Sequence, residues 1–142
     1  MILLDTNVLS ELMRPAPEPV VARWVGAQPS ASLFICAVTE AELRFGVALL
    51  RDGKRRDRLT EAIEGVLTQD FVGRILPFDS PAASAYAQIA ADRRAAGRPI
   101  SQFDAQIASI ARSRNAILAT RNLDDFEGCG VQVTNPWQAV GR

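Results

Sequence analysis

The strongest constraint on this chain is a set of short apolar runs with no polar interruption. Ile2-Leu3-Leu4, Leu33-Phe34-Ile35-Cys36-Ala37-Val38 and Ala116-Ile117-Leu118-Ala119 are too short to be helices, and none alternates with polar residues. A strand with one wet face alternates, whereas a strand covered on both faces does not. The runs therefore predict strands over Ile2–Leu4, Leu33–Val38 and Ala116–Thr120 inside a parallel sheet. Arg74-Ile75-Leu76-Pro77 predicts another short strand, and Val131-Gln132-Val133 a small edge strand.

Helical patterns fill the intervals. Thr6–Met13 is stopped by Pro15 and Pro17. Glu18–Val25 carries Val20, Val21 and Trp24 on one face and closes at Gly26 and Pro29. Thr39 and Glu42 have capping-box spacing and start a helix running to Leu50. Its Phe45, Leu49 and Leu50 are expected to pack in the core, with a partner interface as the alternative, and Trp24 and Trp137 are expected as packing residues, with base-stacking platforms as the alternative. The polar stretch Arg51–Arg58 interrupts before a helix over Leu59–Leu67. Ser80 is expected as an N-cap with Pro81 at the first helical position, ahead of a helix over Ala82–Ala96 that ends at Gly97. Ala105–Arg114 is the last helix. Strands alternating with helices define an α/β class with a parallel sheet. The length, 142 residues, suits a single domain over 1–142, with about two-thirds of the unfolded surface buried.

Composition narrows the chemistry. Lys+Arg and Asp+Glu are both 16, so nucleic-acid binding must rely on a local patch. Histidine is absent, which removes the commonest general base and most zinc sites. Lys54 is the only lysine. Cys36 and Cys129 form no CxxC motif and fit a reducing compartment. The N-terminus has no signal-peptide pattern, and no apolar run approaches the ~20 residues of a membrane span. A soluble, cytoplasmic protein with no membrane partner is expected.

The acids are placed unusually. Asp5 ends the first strand, Glu42 opens the helix after the second, and Asp124 and Asp125 follow the fourth. Strand C-termini and the helix N-termini after them share one sheet edge, so Asp5, Glu42 and Asp125 should gather there. Asp104 joins them only if its helix starts close by. Four carboxylates at that range repel, by about 4 kcal/mol per pair at ~4 Å and an effective dielectric of 20. They either hold protons or bind a cation. An all-oxygen set suits Mg²⁺ or Mn²⁺ over Zn²⁺. Such a metal activates water and stabilises charge on a phosphodiester, chemistry that needs no histidine. Each acid also has a plain alternative: Asp5, Glu42 and Asp104 as helix-capping residues, Asp124 and Asp125 as turn residues.

Met1-Ile2-Leu3-Leu4-Asp5-Thr6-Asn7-Val8-Leu9-Ser10 resembles the opening of PIN-domain proteins, specifically the VapC toxins of bacterial toxin–antitoxin pairs. Thr39-Glu40-Ala41-Glu42-Leu43-Arg44-Phe45-Gly46 is similar to their second motif, and Phe103-Asp104-Ala105-Gln106-Ile107-Ala108 to the third. Ala119-Thr120-Arg121-Asn122-Leu123-Asp124-Asp125-Phe126 resembles the fourth, and Asn135-Pro136-Trp137 the usual ending. The motifs stand in family order across nearly the whole chain.

The resemblance implies a three-layer sandwich around a five-stranded parallel sheet, and an Mg²⁺-dependent endoribonuclease (Mn²⁺ substituting) that cleaves RNA. By motif, Asp5, Glu42 and Asp104 take the metal-coordinating places. Asp125 is preferred for the fourth, with Asp124 or Asn122 as alternatives. Thr6, Asn7, Thr120 and Asn122 are candidates to orient ligands or water. Arg51, Lys54, Arg55 and Arg56 are the candidate RNA contacts, with a solvated helix end as the alternative. The resemblance further implies a homodimer, a VapB-type antitoxin, and operator DNA bound only through the antitoxin complex. Two other readings stand beside it: a phosphotransfer signalling domain, which needs a lysine better placed than Lys54, and a non-catalytic module that keeps the acids as a relic.

Overall fold

Each apolar run forms a strand in the computed structural model, whose described residues are 1–139; residues 140–142, the end of the expected domain, lie outside them. The strands β1 (Ile2–Leu4), β2 (Leu33–Cys36), β3 (Ile75–Leu76), β4 (Ile117–Ala119) and β5 (Val133–Thr134) make one parallel sheet ordered β3-β2-β1-β4-β5. Leu3 stands in register with Phe34 on one side and Leu118 on the other. The helices are α1 (Thr6–Leu12), α2 (Pro19–Gly26), α3 (Ala37–Ala48), α4 (Lys54–Gly65), α5 (Ser80–Ala95) and α6 (Gln102–Ser113).

The unbroken runs are explained by two separate cores. Leu3, Cys36, Leu76 and Leu118 face one, which α5 and α6 cover through Ala82, Ile89, Ile107, Ile110 and Ala111. Ile2, Leu4, Leu33, Ile35 and Ala119 face the other, covered from α1, α2 and α4 by Val8, Leu9, Val21 and Ile63. Successive strand residues point to opposite faces, so every position must be apolar. Leu3, Leu4, Ile35 and Leu118 are fully buried, and each such side chain contributes about 1.5–3 kcal/mol. The result is the expected three-layer α/β architecture. Trp24 and Trp137 pack against the second core, as expected.

Several local expectations are corrected. β2 stops at Cys36 and α3 begins at Ala37, so Thr39 lies inside the helix and does not cap it. Glu42 accordingly sits in the second turn. The cap of α5 is Asp79, whose carboxylate accepts from the Ala82 amide at 3.2 Å; Ser80 is already helical. The helix expected from Leu59 starts at Lys54, because Gly53 at φ 154° gives the chain its entry turn, and its end relaxes into a π-helical turn over Val66–Asp70. The edge strand lies at Val133–Thr134, where residues 118 and 119 of β4 find their partners. Phe45 and Leu49 do not pack in the core: they are 64% and 69% exposed on α3. The last helix starts at Gln102 and not at Ala105: Ser101 caps it, accepting from the Asp104 amide at 3.2 Å, so Asp104 lies in the first turn and is not the cap.

Candidate active site

The strand order reverses at β1. The chain runs from β1 outward to β2 and β3, then returns on the other side as β4 and β5. The C-terminal ends of β1 and β4 therefore diverge into loops leading opposite ways and open a crevice between them. Asp5 leaves β1 at that point and Thr120 leaves β4. The Thr120 hydroxyl donates to Asp5 Oδ2 at 2.6 Å, and the Asp5 amide donates to the Ala119 carbonyl at 3.0 Å. Asp5 Oδ1 accepts from the Val8 amide at 3.0 Å. Asp5 is thus both a helix cap and a site carboxylate: one oxygen serves α1, the other faces the switch point.

Asp5 is only 4% exposed. Burial pushes its carboxyl above the usual carboxylate range, against the pull of the Thr120 hydroxyl and the Val8 amide, and the Asp104 charge pushes the same way. Asp104, in the first turn of α6, is also raised, chiefly by burial, then by Asp125, while the Ser101 hydroxyl and the Arg93 charge work downward. The Asp125 charge thus bears on Asp104, and the Asp104 charge on Asp5. None of the ion pairs among the described residues uses these three or Glu42.

Glu42 is tied to the same edge through Thr6, whose Oγ1 lies 2.7 Å from Glu42 Oε1 and 3.1 Å from Thr39 Oγ1. A hydroxyl has one proton and an ionised carboxylate only accepts. When Glu42 is charged, the Thr6 proton points to it and the Thr39 hydroxyl donates to Thr6. Cys36 Sγ, 3.7 Å from Thr39 Oγ1, completes the line as its donor end. Burial pushes the Cys36 thiol up, which keeps it protonated.

Asp125 lies in a short 3₁₀ segment, Leu123–Phe126, with its side chain exposed. Its position is set from below by Arg93, a 7% exposed guanidinium on α5. Arg93 Nη1 donates to the carbonyls of Asp125 at 2.7 Å and Glu127 at 3.0 Å, and Nε donates to the Arg98 carbonyl at 2.7 Å. The sequence carried no signal for this role, because Arg93 is one of several arginines in a polar helix end. Thr39 did leave a signal, its spacing from Glu42, but that pattern also describes a cap.

The Asp104 charge acts on Asp5 and the Asp125 charge on Asp104, while Glu42 joins the edge through Thr6. Among the described residues no three of His, Cys, Asp or Glu are gathered closely enough to hold a metal ion. The separate tethers explain this: Thr120 and Val8 hold Asp5, Thr6 holds Glu42, and Asp125 turns to solvent. Of the other candidates, Asn7 is exposed in the first turn of α1, and the Asn122 amide donates to Thr120 Oγ1 at 3.1 Å. In the basic stretch Arg56 pairs with Asp52, while Arg51 and Lys54 are exposed. Only Arg55 reaches the edge, in a groove of about 500 Å³ that includes Thr6 and Glu42.

Thr120→Val tests the switch-point contact. Removing a donor to ionised Asp5 raises that carboxyl further, so any activity requiring the anion appears only at higher pH. We expect a loss of roughly 10–100-fold at neutral pH, the usual range for groups that orient a ligand, recovered in part as pH rises. A pH–rate profile superimposable on wild type would refute the contact's importance.

A parallel sheet ordered 3-2-1-4-5, with acids at the tips beside its switch point, defines an α/β domain of the acidic-site kind. Residues 2–128 match the sequence model of the PIN domain, and the chain belongs to that family. It is similar over 96% of its length to Toxin FitB of Neisseria gonorrhoeae (44% identical, 99% of that protein covered). It is 41% identical over 97% of its length to VapC ribonuclease Y4jK of Sinorhizobium fredii, covering 99% of it. Among solved structures, FitAB bound to an IR36 DNA fragment superposes with a TM-score of 0.92 at 42% identity, covering 100% of this chain and 99% of that one. Nucleases of this family depend on divalent metal.

Proposed function

We propose that this chain is a metal-dependent endoribonuclease, the toxin of a VapBC-like toxin–antitoxin pair. The observation that carries the reading is buried Asp5 beside half-buried Asp104: burial disfavours both as anions, the Asp104 charge adds to this at Asp5 and the Asp125 charge adds to it at Asp104, and neither has a cationic partner among the described ion pairs. The donor set is all oxygen, which fits a hard divalent ion, Mg²⁺ with Mn²⁺ as substitute. Asp5 and Asp104 would hold it, with Glu42 and Asp125 joining once their side chains turn toward that pair, since the four are not gathered around one point without the ion. Once bound, that ion supplies an activated water and charge neutralisation at the phosphodiester.

The protein's own part is positioning. Thr120 and the Val8 amide fix Asp5, Thr6 orients Glu42, and Arg93 seats the segment carrying Asp125. The partner is a VapB-type antitoxin, and operator DNA is bound through that complex. The exposed Phe45, Leu49 and Phe103 offer apolar area for a homodimer. No helix among the described residues is long and apolar enough to cross a membrane, in keeping with a cytoplasmic site of action for the whole chain as one domain.

Purified free of antitoxin, the protein is expected to cleave structured RNA with Mg²⁺ and to stop in EDTA. Mg²⁺ or Mn²⁺ should also raise the melting temperature, since a ligand that binds only the folded state stabilises it. Cleavage that persists in EDTA would sink the proposal, and so would acyl-phosphate labelling of Asp5, which favours the phosphotransfer reading.

A further inference from the structure

Resting on the nuclease reading, we propose that Arg121, held on the ring of Trp137, anchors an RNA phosphate next to the bond that is cleaved. After Thr120 the chain leaves β4 through Arg121 and Asn122 into a polar cleft of about 380 Å³, lined also by the carboxylates of Asp124 and Asp125 and by Asn135 and Gln138. The cleft begins one residue from the hydroxyl that holds Asp5 and shares Asp125 with the acidic row. It therefore adjoins the candidate site through Thr120 and Asp125.

The arginine is built in place. Its guanidinium carbon lies 4.9 Å from the Trp137 ring centroid. Trp137 packs on the core that holds Leu4 and Val8. The Trp137 amide donates to Asn135 Oδ1 at 2.9 Å, and Asn135 Nδ2 donates to the Arg121 carbonyl at 3.5 Å. One short turn thus fixes the backbone of Arg121 and supplies the ring under its side chain. A stacked guanidinium leaves its N–H edges outward in the fork that matches a phosphate. It also loses less side-chain freedom when a ligand arrives.

Charge points the same way. A polyanion approaching four carboxylates needs a fixed cation at the rim. Arg14, Arg44, Arg56, Arg98 and Arg114 all pair with acids, and Arg93 directs its donors to backbone carbonyls. Arg121 takes part in none of the ion pairs among the described residues, and it is exposed. The neighbouring Asn122 and Gln138 amides carry both donors and acceptors, suited to the sugar hydroxyl or base edge of a single strand.

The test measures binding apart from cleavage. In an Asp5→Asn background, affinity for a fluorescent single-stranded RNA is followed by anisotropy over a salt series. Arg121→Gln is expected to weaken binding roughly tenfold, the size of one charge-assisted contact. It should also flatten the plot of log affinity against log salt by about 0.7. Arg121→Lys, which keeps charge without fork or stack, should fall between. Arg94→Gln, the same charge change on the exposed end of α5, should leave both quantities as they were. In cleavage-competent protein Arg121→Gln should raise KM with little change in kcat. Binding and salt slope equal to the parent, or no RNA binding by the parent itself, overturn the inference and leave Arg121 as a cover for the Trp137 ring. If the wild type fails to cleave yet Arg121→Gln still loses RNA affinity, the nuclease reading falls and the phosphate anchor stands.

Discussion

Asp5→Asn should abolish metal-dependent cleavage and, at the same time, make the metal-free protein more stable at neutral pH. The two effects have one origin. Asparagine keeps an oxygen for the Val8 amide, so the cap of α1 survives. It removes a charge that burial and Asp104 both disfavour. The linkage sign follows from the direction of the shift. An acid whose folded pKa lies above its unfolded value contributes stability that is full below the unfolded pKa, 3.8 here, and lost as pH rises through the raised folded value. Wild type loses that contribution as pH rises through the raised value, and Asp5→Asn keeps it because the amide never ionises. A melting-temperature gain of a few degrees is expected at pH 7, vanishing near pH 3. Cleavage should fall by more than the roughly 10–100-fold typical of a group that merely orients a ligand. Divalent metal should no longer raise the melting temperature. A variant that melts below wild type at pH 7, or keeps its metal-induced shift, would contradict this account of the buried carboxylate.

Arg93→Met should be the most destabilising single change near the site. It leaves the carbonyls of Arg98, Asp125 and Glu127 without the donor they share. Buried polar groups stripped of a partner cost about 1–3 kcal/mol each. A total near 3 kcal/mol is reasonable after water enters, which lowers the melting temperature by roughly 6–12 °C at this chain length. Arg93→Lys should recover only part, because one ammonium cannot span carbonyls that a planar fork reaches. The site should feel the change as well. Arg93 holds the Asp104 carboxyl down, so its loss should move the acid limb of the pH–rate profile upward. Thermal unfolding together with that profile separates the two roles. An unaltered melting temperature would remove Arg93 from the clasp.

Much of the fold is readable from residue order because burial on both faces imposes an unmistakable pattern. Leu3 and Leu4 look in opposite directions into different cores, and no polar residue can be afforded at either. The cap of α6 follows a different rule, that an α-helix N-terminus needs an oxygen acceptor, which Ser101 supplies. Other caps were less legible. Asp79 and Ser80 can each supply that oxygen, and the choice depends on the backbone entering α5. At α3 the chain passes from strand to helix at Cys36 with no capping side chain. This left Thr39 free to bond Thr6, and made a cap-like pattern misleading. Phe45 and Leu49 were expected inside because they are large and apolar, but only packing decides which side of a helix is covered.

The sequence by itself determined a parallel α/β sheet and its apolar strands, because two-sided burial is a local property of residue order. It also put Asp5 at a strand tip and Glu42 on the helix after the next strand, and left Asp104 and the choice among Asp125, Asp124 and Asn122 to the family resemblance. The tertiary structure alone decided which groups meet. It put β4 beside β1, so that Thr120 reaches Asp5 across 115 positions of chain. It placed Arg93 under Asp125 and Arg121 over Trp137. Such pairings depend on the strand order and on hydrogen bonds between distant segments, and no local pattern of residues encodes them.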